Sequence, residues 1–335
     1  MRISLADMLA TREVVLADGA TGTNYFQRGL GSGHPPELWN EEHPDLVTGL
    51  HQQFVDAGAD IILTNSFGGT RQRLKLHKAD DRVFELAEYA ARLARAVADA
   101  ADRPVVVAGS VGPTGELFVP LGALTHDVAV ASFREQIEGL IAGGVDVIWI
   151  ETMSSIEEVR AAAQAAIDVG VPYTATCSFD TAGRTMMGIM PDALVRAFDG
   201  LAVAPVAFGA NCGVGASDIV VTVLSICSGE HDVVISKGNC GIPQFQGTEI
   251  VYSGTPELMA RYAQLAADAG ARIVGGCCGT SPEHLAAMRR ALDQRVPAPT
   301  PTVAEVVDQI GPLTNAMPSA AGDGDRTRRR SRRGE

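Results

Sequence analysis

Three cysteines are placed where chemistry can be done with them. Cys212 sits in Asn211-Cys212-Gly213, and Cys277 and Cys278 are adjacent within Gly275-Gly276-Cys277-Cys278-Gly279. Glycines on both sides let backbone or ligand approach the sulfurs closely. Three thiolates suit Zn²⁺, a tetrahedral ion that accepts soft ligands, and they leave a fourth position for a ligand that reacts. A vicinal disulfide is the other use of an adjacent pair. Cys177 and Cys227 lie in apolar surroundings and read as small core residues, and Cys240 repeats the Asn-Cys-Gly pattern in a loop. Six cysteines in 335 residues, none before position 177, do not make a disulfide framework.

Thiols at distant positions must be brought together by the fold. Eight short apolar runs begin at 13, 59, 104, 145, 172, 205, 232 and 271. They are continuous rather than alternating, as strands covered on both faces are. Between them lie stripes at helical spacing, such as Val83, Leu86, Ala90, Leu93 and Val97. Thr255-Pro256 and Ser281-Pro282 each place a capping hydroxyl before a proline suited to a first helical turn. The runs recur about every 37 residues, the size of one strand, one helix and two loops, which predicts a (β/α)8 TIM barrel of the α/β class. An open doubly wound sheet would call for a GxGxxG loop after the first strand, and DGATGTN lacks that spacing. We expect one barrel domain over 1–295 and, over 296–335, an extension with a partly disordered basic tail. The polar residues that end the runs, among them Asp18, Thr64, Ser110, Glu151 and the cysteines, then share the C-terminal face, where barrel enzymes carry their sites. The long stretches 19–44 and 238–254 follow strand ends on that face.

Composition closes other routes. A net charge of -13 and 5% aromatic residues offer no basic, stacking surface for nucleic acid or an anionic membrane. No apolar stretch approaches a membrane span and the first 25 residues lack a signal-peptide pattern, so a cytoplasmic protein is expected. The last 13 residues carry +3, which leaves -16 on the rest.

With these residues laid out, the chain resembles the homocysteine S-methyltransferase family. The resemblance rests on DGATGT at 18–23, PELWNEEHPDLV at 36–47, AGADIILTNSF at 57–67, GSVGPTGE at 109–116, GANCG at 209–213 and GGCCGT at 275–280, in order over about 10–295. It implies a zinc-dependent barrel that methylates homocysteine to methionine, with Zn²⁺ on Cys212, Cys277 and Cys278. It further implies that Asp18 and Glu151 meet the amino group of homocysteine, and that backbone at Gly19 and Ala20, with Thr64, holds its carboxylate. The whole-chain resemblance, through LTNSFGGTRQRLKLH and IVYSGTPELMA, points to bacterial betaine–homocysteine methyl transfer. Trp39 is then a candidate to face the quaternary ammonium of betaine, with Phe67 and Tyr252 behind it.

Two other donors stay open: S-methylmethionine, and a separate corrinoid protein if the chain is the homocysteine module of a split methionine synthase. No corrinoid or folate domain is recognisable in the sequence, so the corrinoid route needs a partner protein. A non-catalytic zinc or thiol sensor would use the same cysteines. The stretch 303–310 packs either on its own barrel or on a second subunit of a homo-oligomer, and the sequence does not choose.

Overall fold

In the computed structural model, which describes residues 2–227, 233–246 and 249–314, the apolar runs form one barrel. The strands are β1 (Val15–Leu16), β2 (Ile61–Leu63), β3 (Val106–Val111), β4 (Val147–Met153), β5 (Tyr173–Cys177), β6 (Ala207–Cys212) and β7 (Val234–Gly238). An antiparallel hairpin, β8 (Pro243–Gln246) and β9 (Glu249–Tyr252), precedes the last barrel strand, β10 (Ala271–Gly276). The barrel strands are all parallel in the order β1-β10-β7-β6-β5-β4-β3-β2. A single parallel bridge between Ala17 and Ile61 joins β1 to β2 and closes the ring. Each expected run contains or overlaps a strand, so the TIM barrel read from the spacing is the fold observed.

The interior is a packed core. Val15, Ile61, Val106, Val147, Ile235 and Ile273 point inward, and Trp149 lies fully buried among them. Ala17, Ala108 and Ala207 in the same cluster leave room for the indole. One element escaped the sequence reading. Helix Leu5–Thr11, capped by the Ser4 hydroxyl on the Asp7 amide, sends Leu5, Met8 and Leu9 into that inner cluster. Its seven residues are too few to show a helical period against a background of loop.

Both announced helix starts are present. Thr255 Oγ1 accepts from the Leu258 amide at 3.2 Å, and Ser281 forms a capping box with His284. Helix Val303–Ile310 lies on its own barrel, with Val306 and Ile310 buried and Ser217 Oγ donating to the carbonyls of Ile310 and Gly311. The basic tail falls outside the described residues. No described helix is long and apolar enough to cross a membrane.

Candidate active site

The strand ends deliver the three cysteines to one point. Cys212 closes β6, while Cys277 and Cys278 follow β10, and their sulfurs all lie within 4.8 Å of one another. Cys212 Sγ and Cys278 Sγ are 3.9 Å apart. Two sulfurs on one tetrahedral zinc, each about 2.3 Å from the metal, are separated by about 3.8 Å, so the donor set fits the ion in both chemistry and spacing.

Backbone and amide groups hold this arrangement. Cys212 adopts a left-handed backbone (φ 59°), an uncommon conformation for a residue with a side chain, and Thr152 across the barrel mouth does the same (φ 62°). Asn211 fixes the pair: its Oδ1 accepts from the Thr152 amide and Thr176 Oγ1, and its Nδ2 donates to Thr152 Oγ1. Asn239 ties the two cysteine loops together, accepting from the Cys278 amide at 3.0 Å and donating to the Gly213 carbonyl at 3.0 Å. The neighbouring sulfurs make the thiols unequal. Hydrogen bonds from Cys212 and Cys277 hold Cys278 well below the usual thiol range, whereas hydrogen bonding to the other two pushes Cys212 up. Tyr252 also reaches Cys278 with its hydroxyl. Cys240 is buried outside the cluster, its amide on the Cys278 carbonyl, and Cys177 is core.

The sulfurs open onto a cavity of about 590 Å³. Strand ends give it Thr64, Ser110, Glu151 and Lys237; the segments after β1 and β2 give it Phe26, Glu37, Phe67 and Arg73. Glu151 accepts from Ser110 Oγ at 2.5 Å, and burial pushes its carboxyl up to about 7. Thr64 Oγ1 lies 2.6 Å from Ser66 Oγ and accepts from the Ser110 amide.

The other expected contacts are placed as follows. Asp18 is fully buried and is not among the residues lining the cavity; its Oδ1 accepts from Lys237 Nζ at 2.8 Å and its Oδ2 from the Leu63 amide at 2.7 Å. The ammonium beside it in this structure is that of Lys237. Gly19 and Ala20 line the cavity; the Ala20 amide donates to the Thr280 carbonyl, and a Cβ on Gly19 would lie 2.6 Å from that same carbonyl. Trp39 packs in the core, 5.4 Å from Tyr25 and 5.0 Å from His43 between ring centroids, and does not line the cavity. A tryptophan in a polar motif reads as a rim residue, but the short helices Gly22–Gln27 and Trp39–Glu42 fold it under the loop.

Lys237 was not singled out by sequence, where it reads as the polar end of DVVISK. It is 2% exposed and stands 5.7 Å above the Trp149 ring. Burial alone would lower its proton affinity, but Asp18 and Glu151 together hold it above the ordinary lysine range. The one signal in the sequence was a lysine at a strand's C-terminal end, on the face that carries the cysteines.

The family model for homocysteine S-methyltransferase matches residues 15–292, the whole barrel. The chain belongs to the homocysteine S-methyltransferase family. Methionine synthases of Mycobacterium tuberculosis and Mycobacterium leprae are 31% and 30% identical to it over 84% and 88% of its length. The chain spans about a quarter of the length of these two relatives (25% and 26%). Among solved structures, the metallated form of the homocysteine methyltransferase MmuM from Escherichia coli superposes with a TM-score of 0.71 at 23% identity, covering 85% of this chain and 98% of that one. Its oxidized form gives 0.71 over 84% and 97%. At that identity the likeness speaks for the fold. This homocysteine S-methyltransferase family member thus pairs the expected barrel with a cysteine triad able to hold a metal.

Proposed function

We propose that the protein transfers a methyl group from glycine betaine to the sulfur of L-homocysteine, giving methionine and dimethylglycine, with Zn²⁺ held by Cys212, Cys277 and Cys278. The observation that carries this is the triad itself, three sulfurs within 4.8 Å of one another at the wall of a cavity that also contains a buried carboxyl and a buried ammonium. When bound, zinc would take the homocysteine sulfur as its fourth ligand and keep it a thiolate at neutral pH, where a free thiol is mostly protonated.

The chain's own residues supply the rest. Glu151, ionised on meeting a cation, pairs with the substrate ammonium, and the Ser110 hydroxyl orients it. Thr64 and a second donor direction of Lys237, beyond the one on Asp18, face the amino acid's carboxylate. Lys237 also offsets the negative charge that Asp18, Glu151 and the thiolates gather in one low-dielectric place. The methyl carbon bonds to sulfur as its bond to nitrogen breaks. The electron pair stays on nitrogen, and the proton displaced from the thiol leaves with solvent or on the product amine. Positioning of the two substrates and exclusion of water are the protein's share of the rate. A small cationic donor suits a cavity with Phe26 and Phe67 in its wall. We place the enzyme in the cytoplasm, where zinc-binding thiols stay reduced.

A second reading has its own support. The methionine synthase relatives match over a quarter of their length, so the chain could be the homocysteine module of a split enzyme that takes its methyl from a corrinoid protein. Zinc-loaded protein assayed side by side with betaine, S-methylmethionine and methylcobalamin separates these. Methionine and dimethylglycine in equal amounts are expected with betaine; turnover with methylcobalamin and none with betaine overturns the donor assignment.

A further inference from the structure

Arg73 lines the cavity from helix Arg71–Lys75, and among the described residues its guanidinium makes no hydrogen bond and no ion pair within 4.0 Å. Other arginines drawn partly into the protein are matched: Arg95 with Asp146, Arg289 with Asp60 and Asp293, Arg295 with Asp268 and Glu13. Glu37 is near enough to feel the Arg73 charge but accepts instead from the Gly68 amide at 2.6 Å. A guanidinium is a planar fork of donors matched to a carboxylate. One that faces a cavity without a partner is an anion site waiting for its ligand. Phe26 and Phe67 line the same cavity, as do the three cysteines, so a cation of low charge density has aromatic faces beside it there.

We propose that Arg73 receives the carboxylate of the methyl donor, which makes the donor a small onium compound carrying a carboxylate a few bonds from its methylated centre. This rests on the proposed methylation of homocysteine by a small-molecule donor and narrows it. The methylated centre lies toward the sulfurs, with Arg73 anchoring the opposite end of the donor. Neither the homocysteine contacts nor the metal ligands involve Arg73.

The test uses the full chain loaded with zinc, with Arg73→Met and Arg73→Lys beside the parent. With homocysteine saturating, Arg73→Met is expected to raise the KM for betaine by roughly 10- to 100-fold, the value of a charge-assisted pair, and Arg73→Lys to recover part of it. Zinc content and the KM for homocysteine stay at parent values in both. Choline keeps the trimethylammonium head and lacks the carboxylate. As an inhibitor competing with betaine, it should bind parent and Arg73→Met equally. An unchanged betaine KM overturns the inference. So does a parallel loss of choline binding, of zinc or of homocysteine affinity, since any of these makes Arg73 structural. A parent enzyme inert with every small donor sinks the functional reading, and this inference with it.

Discussion

Replacing Lys237 by methionine tests how the site's charge is held. Methionine keeps most of the length of the side chain and removes the ammonium that faces Asp18, leaving a fully buried carboxyl with, among the described residues, the Leu63 amide as its hydrogen-bond partner. Burial pushes Asp18 up, and Lys237 is the strongest influence pulling it back. Without it the carboxyl takes a proton. Holding a group with an unfolded value near 3.9 protonated in the fold costs about 4 kcal/mol at pH 7 and about 1.5 kcal/mol at pH 5. The first figure agrees with the ~3–5 kcal/mol lost when one partner of a buried ion pair is removed. The sign follows from the protons: the folded variant keeps the Asp18 proton and the unfolded chain releases it above pH 4, so rising pH favours unfolding. Urea unfolding of the metal-free, reduced protein at 25 °C, followed by tryptophan fluorescence, should show the variant about 3–4 kcal/mol below the parent at pH 7, with the gap closing toward pH 5. Asp18→Asn in the same chain should restore more than half of the loss at pH 7. A deficit below about 1 kcal/mol, or one of equal size at both pH values, refutes the assignment of Lys237 as the countercharge of Asp18.

Cys277→Ala should remove bound zinc while leaving the far-ultraviolet circular dichroism of the barrel intact, and Cys177→Ala should retain the metal; equal zinc content in the two would contradict the ligand assignment. Glu151→Gln should raise the KM for homocysteine by roughly 10- to 100-fold with betaine affinity unchanged, as loss of one charge-assisted pair predicts, and steady-state kinetics in both substrates reads this directly. Gly209→Ala should destabilise the barrel by about 2–3 kcal/mol or more in the same urea assay, because its Cβ would lie 2.1 Å from the Ile235 carbonyl of β7 and the two strands must part.

What the sequence disclosed follows from what kind of force sets each feature. Strands buried on both faces leave continuous Val and Ile runs, so the barrel was legible, and glycine-bracketed cysteines at run ends disclosed the triad. Features set by tertiary packing were not. Trp39 is core because two short loop helices cover it, and nothing local to PELWNEE encodes that cover. Lys237 and Asp18 are 219 positions apart, and their pairing follows only from ring closure, which brings β7 within reach of β1 across β10. Arg73 lies in RQRLK, which reads as a solvated helical face until the loops after β1 and β2 are seen to wall a cavity. The docking of Val303–Ile310 is not legible, because an amphipathic helix fits its own barrel or a neighbour equally well by pattern.

Zinc K-edge X-ray absorption on the loaded protein, before and after addition of homocysteine, addresses the central claim most directly. The account predicts three sulfur neighbours before and four after, with the fourth lost when homoserine replaces homocysteine. Four protein sulfurs before any substrate is added, or three with homocysteine saturating, would contradict it.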